Sequence, residues 1–280
     1  MLAETVAAIQ PLDKSAMEKC RTRLDNLTKP LGSLGSFEEM ARKMAGITGQ
    51  ARLRELHPRL VVIDGDRRTP GVLDVFARHV GAEIVAMDKT AVTEVNEATL
   101  TEALNRGLLV GTAAATARVV GLGMTGELSP MAVTAVSTWF RDGDGEGMEI
   151  LQQAGNLELA EMTGVILGAA AGGAVVVLDG LATGLAALIA VRLAPLAKEY
   201  LMASHFAAEP VHAEVLRLLD LPAYLYLGLH FGEGVGAALA ISLLRASLHM
   251  LNDMKTFGEA QVHVAEDGPG SLVQNPAVRD

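Results

Sequence analysis

The sequence predicts an α/β protein: a Rossmann-like parallel sheet flanked by helices, with a small helical domain built from the N- and C-terminal segments. Arg59–Asp64 (RLVVID) and Ala82–Asp88 (AEIVAMD) read as strands, and the amphipathic stretch Gly71–Val80 between them reads as a helix. Such a unit implies parallel pairing with a right-handed crossover. Further along, strand-length apolar runs alternate with Gly- and Ala-rich helical stretches, the mark of a sheet buried on both faces. Thr99–Ala117 reads as a helix, Arg118–Leu122 as a short strand, and Leu151–Ala171 as a helical region. Val175–Asp179 follows as a central strand, Gly184–Ala194 as a helix and Glu199–Ser204 as a strand. Residues 1–50 read as helices broken by a turn at Thr28–Gly35, where Pro30, Gly32 and Gly35 interrupt the pattern and Ser36 begins the next helix. The expected division is a helical segment over 1–50, the sheet domain over 51–235, and a C-terminal helix over 236–280 that closes the small domain. A tail with little regular structure is expected after Gly258, because Gly268, Pro269, Gly270 and Pro276 fall there.

The chain has 280 residues, half of them hydrophobic and few aromatic, so the core should be Ala, Val, Leu, Ile and Met. A formal charge of −10 argues against nucleic acid as a partner, since phosphate backbones need clustered Lys and Arg. The single cysteine, Cys20, leaves no intrachain disulfide and fits a reducing compartment. Glu4 and Asp13 interrupt the first apolar residues, so no signal peptide is expected. Met162–Val191, with Asp179 as its one acid, divides into a buried strand and a helix rather than a membrane span. The expectation is a soluble, cytoplasmic protein with no membrane partner.

Candidate chemistry gathers in a few places. Gly232-Glu233-Gly234-Val235-Gly236 leads into a helical pattern running from Ala237 to about Thr256. A carboxylate between glycines at a helix start lets backbone approach a ligand closely, and it is equally an acid favoured by the helix dipole. Lys29 in the turn presents a cation to a phosphate, or the turn simply joins two helices. Asp64, Asp66, Arg67 and Arg68 follow the first strand at the sheet end where ligands collect; a solvated loop is the competing reading. His205 and His212, beyond a strand end, are candidates to line a site. Trp139–Glu149 (WFRDGDGEGME) carries four carboxylates around Arg141 without the spacing of a calcium loop. No metal or cofactor is expected, and no GxGxxG follows the first strand, which disfavours a nicotinamide dinucleotide.

Four stretches share wording with one family. Gly232–Phe257 (GEGVGAALAISLLRASLHMLNDMKTF) is similar to GEGSGAALALPLL…LNEMATF, and Leu27–Gly35 (LTKPLGSLG) to KPxGSLG. Val175–Pro195 (VVVLDGLATGLAALIAVRLAP) and Tyr200–Glu209 (YLMASHFAAE) are similar to VVLDGFISTAAALLAARLAP and YLIASHRSAE. In this order they resemble the nicotinate-nucleotide:dimethylbenzimidazole phosphoribosyltransferase family. The resemblance implies transfer of the phosphoribosyl group of nicotinate mononucleotide to an aromatic lower-ligand base, with nicotinate released. It assigns Glu233 the role of proton acceptor, and substrate binding to Lys29, Gly32, Ser33, Asp179, Gly180, Ser204, His205, Gly232, Gly234 and Gly236.

The middle of the chain departs from the family. The loop after the first strand that helps to hold the base is absent or reduced to RRTP. GLGMTGELSP stands where the family has GEMGIGNTT, so Met124 falls at a glutamate and Ser129-Pro130-Met131 at Asn-Thr-Thr. Glu127 restores a carboxylate there only if the loop shifts. The acidic Trp139–Glu149 stands where the family has a GRGTG-like phosphate loop. These losses imply a degenerate subunit paired with an intact paralogue, as in members that use phenol or p-cresol. A self-sufficient homodimer with altered base specificity, and a non-enzymatic small-molecule-binding protein, remain as alternatives.

Overall fold

The computed structural model describes residues 1–64, 71–88, 94–143 and 145–262. Asp66, Arg67, Arg68, Asp144 and the tail with Gly268, Pro269, Gly270 and Pro276 lie outside the described residues. The chain divides into two compact units, one of residues 1–11 and 57–241, the other of residues 12–56 and 242–280.

The first unit is built on a five-stranded, wholly parallel sheet in the order β2-β1-β3-β4-β5. Its strands are β1 (Arg59–Asp64), β2 (Glu83–Asp88), β3 (Val119–Met124), β4 (Val175–Leu178) and β5 (Leu201–Ala203). This order reverses direction between β1 and β3, so the carboxyl ends of the central strands frame a ligand crevice. The helices of this unit are α1 (Leu2–Ala8), α4 (Val72–His79), α5 (Glu97–Ala114), α6 (Pro130–Asp142), α7 (Gly147–Ala154), α8 (Leu157–Ala171), α9 (Leu181–Leu193) and α10 (Pro210–Leu219). The α/β sheet and the order of its elements agree with the sequence reading. Two details differ. The α5 helix ends at Ala114, because residues 115–117 tighten into a 3-10 turn and Arg118 adopts a left-handed conformation before β3. The N-terminal eleven residues group with the sheet unit: Ile9 is buried and the Tyr200 hydroxyl donates to the Gln10 carbonyl.

Glycine placement lets two helices touch along their backbones. Gly107 and Gly111 of α5 face Gly164 and Gly168 of α8, and a Cβ on Gly107 would stand 2.1 Å from the Glu161 carbonyl oxygen. Nearly all of α8 is buried, Glu161 included, and that acid is paired with Arg106 of α5 at 2.8 Å. An unpaired buried carboxylate would be costly, so the pair also fixes the helix register.

The second unit holds α2 (Lys14–Asn26), α3 (Ser36–Thr48), the part of α11 (Val235–Asp253) beyond Ile241, and α12 (Phe257–Ala260). Cys20, Leu24, Leu27, Ala41, Ala45 and Leu251 form its core. Burial pushes the Cys20 thiol up to about 12, which leaves it inert. Arg23 is buried and donates to the carbonyls of Leu251 and Met254 and to Glu259, placing a cation at the C-terminal end of α11. Among the described helices, α11 alone is long and apolar enough to cross a membrane, yet 56% of that stretch is buried in the protein. Such a helix is equally the core helix of a soluble domain.

Candidate active site

The site is organised by the contact between β3 and the start of α11. Gly121 and Gly123 alternate along β3 and therefore share one face of the sheet. A Cβ at Gly121 would crowd Leu60, Ala237 and Ile241; one at Gly123 would stand 2.5 Å from the Gly234 nitrogen. Both glycines are thus required for the Gly232–Gly236 turn and the first turns of α11 to lie on the strand. The Met124 N–H donates to the Gly232 carbonyl at 2.8 Å and closes the contact.

Asp179 follows β4 and reaches the same turn. Its carboxylate accepts the Gly234 N–H at 2.9 Å and the Ala237 N–H at 2.8 Å, and the Gly236 N–H also bonds to it. Asp179 is 1% exposed, and burial raises its carboxyl to about 7 against the opposing pull of these N–H groups; Glu209 nearby adds to the rise. Ser204 and His205 stand beyond β5. The Ser204 hydroxyl lies 2.8 Å from the Asp179 carbonyl and 2.9 Å from His205 Nδ1. The His205 ring covers Gly236, where a Cβ would come 2.1 Å from Nδ1. Gly180, also beside His205, begins α9, and its N–H donates to the Thr183 hydroxyl. Glu233 is half-buried in the turn, between Gly232 and the left-handed Gly234.

Burial drives both histidines down to about 4, His212 also through its neighbour His205, so both are neutral near pH 7. His212 Nδ1 accepts the Ala207 N–H at 3.0 Å, which fixes that tautomer. In acid the unfolded chain takes up protons that these rings refuse, so their contribution to stability is present above about pH 6.5 and lost towards about pH 4. The expected result is a urea midpoint that falls across this window, with a shallower fall in His212→Gln.

A cavity of about 350 Å³ opens over the carboxyl ends of β3, β4 and β5. Met124, Glu127, Pro130, Gly180, His205, Glu209, His230 and Phe231 are among its walls. Ser129 caps α6 by accepting the Ala132 N–H, and Pro130 occupies the first helical position. Of the sequence-named residues, Asp179, Gly180, Ser204, His205, Glu233 and the three glycines of the turn come together in the sheet unit. Lys29, Gly32 and Ser33 belong to the helical unit, where Lys29 pairs with Glu38 at 2.9 Å. Arg141 pairs with Glu214 of α10.

The sequence reading gives no role to Glu209, and gives one to Glu127 only if its loop shifts. Glu127 enters the wall beside Met124, and Glu209 lines it with one carboxylate oxygen buried and without a hydrogen-bond partner. Glu209 had a signal: it closes the ASHFAAE stretch directly before the proline that starts α10. No lysine or arginine lines the cavity among the described residues, and no three His, Cys, Asp or Glu side chains there gather to hold a metal ion.

A family model described as Phosphoribosyltransferase matches residues 9–128 and 110–262. The chain is 32% identical to the nicotinate-nucleotide–dimethylbenzimidazole phosphoribosyltransferase of Chloroflexus aurantiacus, over 94% of this chain and 98% of that protein. The chain belongs to this phosphoribosyltransferase family. It is also 33% identical to the enzyme of that name from Chloroflexus aggregans, over 94% of this chain and 98% of that one. The solved nicotinate-nucleotide-dimethylbenzimidazole phosphoribosyltransferase of Thermus thermophilus is similar in fold, with a TM-score of 0.77 at 26% identity. That similarity covers 90% of this chain and 99% of the Thermus chain. The alignment with the Chloroflexus aurantiacus phosphoribosyltransferase spans 345 positions, more than the 280 residues present here, so that relative carries segments this chain lacks.

Proposed function

We propose that this chain is a subunit of a nicotinate-nucleotide-dependent phosphoribosyltransferase that makes the α-ribotide of a cobamide lower ligand, dimethylbenzimidazole-like or phenolic. In this reading it is the catalytically degenerate partner of an intact paralogue. The observation that carries the reading is the charge of the cavity wall: among the described residues Glu127 and Glu209 line it, and no lysine or arginine does. A phosphate dianion gains from cations and bare N–H groups and loses from nearby carboxylates. Each lost charge-assisted hydrogen bond weakens binding by about 1.5–3 kcal/mol. Met124 and Pro130 supply neither an acceptor of useful strength nor an N–H at the places where the family has a glutamate and a phosphate cradle.

The transfer itself is a displacement at the ribosyl C1. The incoming base nitrogen or phenol oxygen forms the new bond, the C1–nitrogen bond of the nucleotide breaks, and its electron pair neutralises the departing nicotinate ring. The acceptor loses one proton, which Glu233 takes if this chain's own site turns over. Glycines on both sides of Glu233 let the backbone approach the ligand. The setting is a cytoplasmic complex, with the paralogue or a second copy as protein partner.

A second reading has its own support. Because Glu127 lines the cavity, a carboxylate is present near the place of the family glutamate, which favours a self-sufficient enzyme with altered base specificity. Nicotinate release from nicotinate mononucleotide, with benzimidazole and with phenol, separates the two. The degenerate-subunit reading expects silence from the chain alone, a 1:1 complex with the paralogue, and turnover of that complex unaffected by Glu233→Gln. Turnover by the chain alone, abolished by Glu233→Gln, establishes the second reading instead.

A further inference from the structure

The buried carboxylate of Asp179 is paired with backbone alone, and the turn it holds is the one that carries Glu233. Both of its oxygens are occupied: Oδ2 takes the Gly234 N–H and Oδ1 takes the Ala237 N–H. With 1% exposure and both oxygens engaged, it is closed to a substrate. It also stands where the N-terminal N–H groups of a 19-residue helix need an acceptor. The packing is too close to be incidental. The Gly236 Cα is confined between His205 and Asp179, and Gly123 meets Gly234 from the strand side.

We infer that Asp179 is the positioning residue of this site: from the end of β4 it clamps the N–H groups of Gly234 and Ala237 and so fixes where Glu233 stands. The clamp depends on charge. An ionised carboxylate offers acceptors to both N–H groups, whereas a protonated one turns a hydroxyl towards one of them and loses that bond. Asp179 titrates near neutral pH, so the turn should tighten as the carboxyl ionises through about 7. The ionisable groups around it are His205 beyond β5, neutral in this range, and Glu209 before α10, while Glu233 belongs to the turn it holds. The opening turn of α11 and the facing end of β3 contribute no ionisable side chain. The consequence for catalysis rests on Glu233 being the proton acceptor; the clamp does not, and its test needs no turnover.

Amide spectra of the full chain across roughly pH 5 to 9 read the clamp directly. The Gly234 and Ala237 amides should move together with a midpoint near 7, keep that movement in Glu233→Gln, and lose it in Asp179→Asn. Hydrogen exchange should quicken about tenfold or more at Gly234–Ala237 in Asp179→Asn, and further in Asp179→Ala, while Val176–Leu178 stay within about twofold. The same midpoint persisting in Asp179→Asn would assign the titration to a neighbour and overturn the inference. Exchange that is unchanged at the turn, or that rises equally along β4, would overturn it as well, the latter by making Asp179 a general support of the sheet.

Discussion

Gly236→Ala is expected to cost about 3 kcal/mol of stability, at the upper end for added bulk in a packed interior, and to abolish any activity that depends on Glu233. The added methyl would stand 2.1 Å from His205 Nδ1, 2.6 Å from Cε1 and 2.8 Å from Asp179 Oδ1. None of these atoms can retreat cheaply. His205 is 1% exposed and within hydrogen-bond distance of Ser204 Oγ, and the Asp179 oxygens are tied to the helix start. Relief requires the first turn of α11 to lift from β3, carrying Glu233 with it. Urea unfolding gives the stability change, and the nicotinate-release assay of the active assembly gives the functional one. A variant as stable as the parent would mean that this packing is looser than the distances imply.

Lys29→Met is expected to be more damaging still, at about 3–5 kcal/mol, because it strands a buried carboxylate. The Lys29 and Glu38 side chains are 5% and 11% exposed and meet at 2.9 Å inside the helical unit. Glu38 Oε1 also accepts the Leu34 N–H at 3.1 Å, so the pair closes the Thr28–Gly35 turn onto α3. In Lys29→Met, Glu38 keeps that N–H and loses its cation. The double variant Lys29→Met/Glu38→Gln, which removes the charge and keeps an acceptor for Leu34, should recover most of the loss. Urea unfolding of the two single variants and the double variant gives the coupling. A single-variant cost under about 1 kcal/mol would return Lys29 to the role of a cation that meets a phosphate.

The two substitutions mark different degrees of legibility. Gly236 could be named as a glycine of a ligand-approaching turn, but the nearest obstacle to its Cβ is a histidine 31 positions earlier in the chain, which no local pattern announces. Lys29 could be named as a cation in a turn, but no local pattern shows that it stands 2.9 Å from Glu38. Asp179 shows the same limit. The resemblance assigns it to substrate binding, yet its carboxylate's partners are backbone N–H groups more than fifty residues on. Glu127 and Glu209 were visible as residues and unreadable as neighbours, because they reach one cavity from different loops.

What the sequence by itself determined was the parallel α/β architecture, the membership of the family and the turn that carries Glu233. The architecture and the turn follow from short-range patterns, namely apolar runs of strand length, helical periodicity and glycines flanking an acid, and the family from four motifs matched in order. The tertiary structure alone decided which charges are already satisfied, which carboxylates face the cavity, and that β3 uses Gly121 and Gly123 to admit α11. The physical reason is that pairing and burial depend on distances between residues far apart in the chain, and those distances exist only once the sheet has ordered its strands.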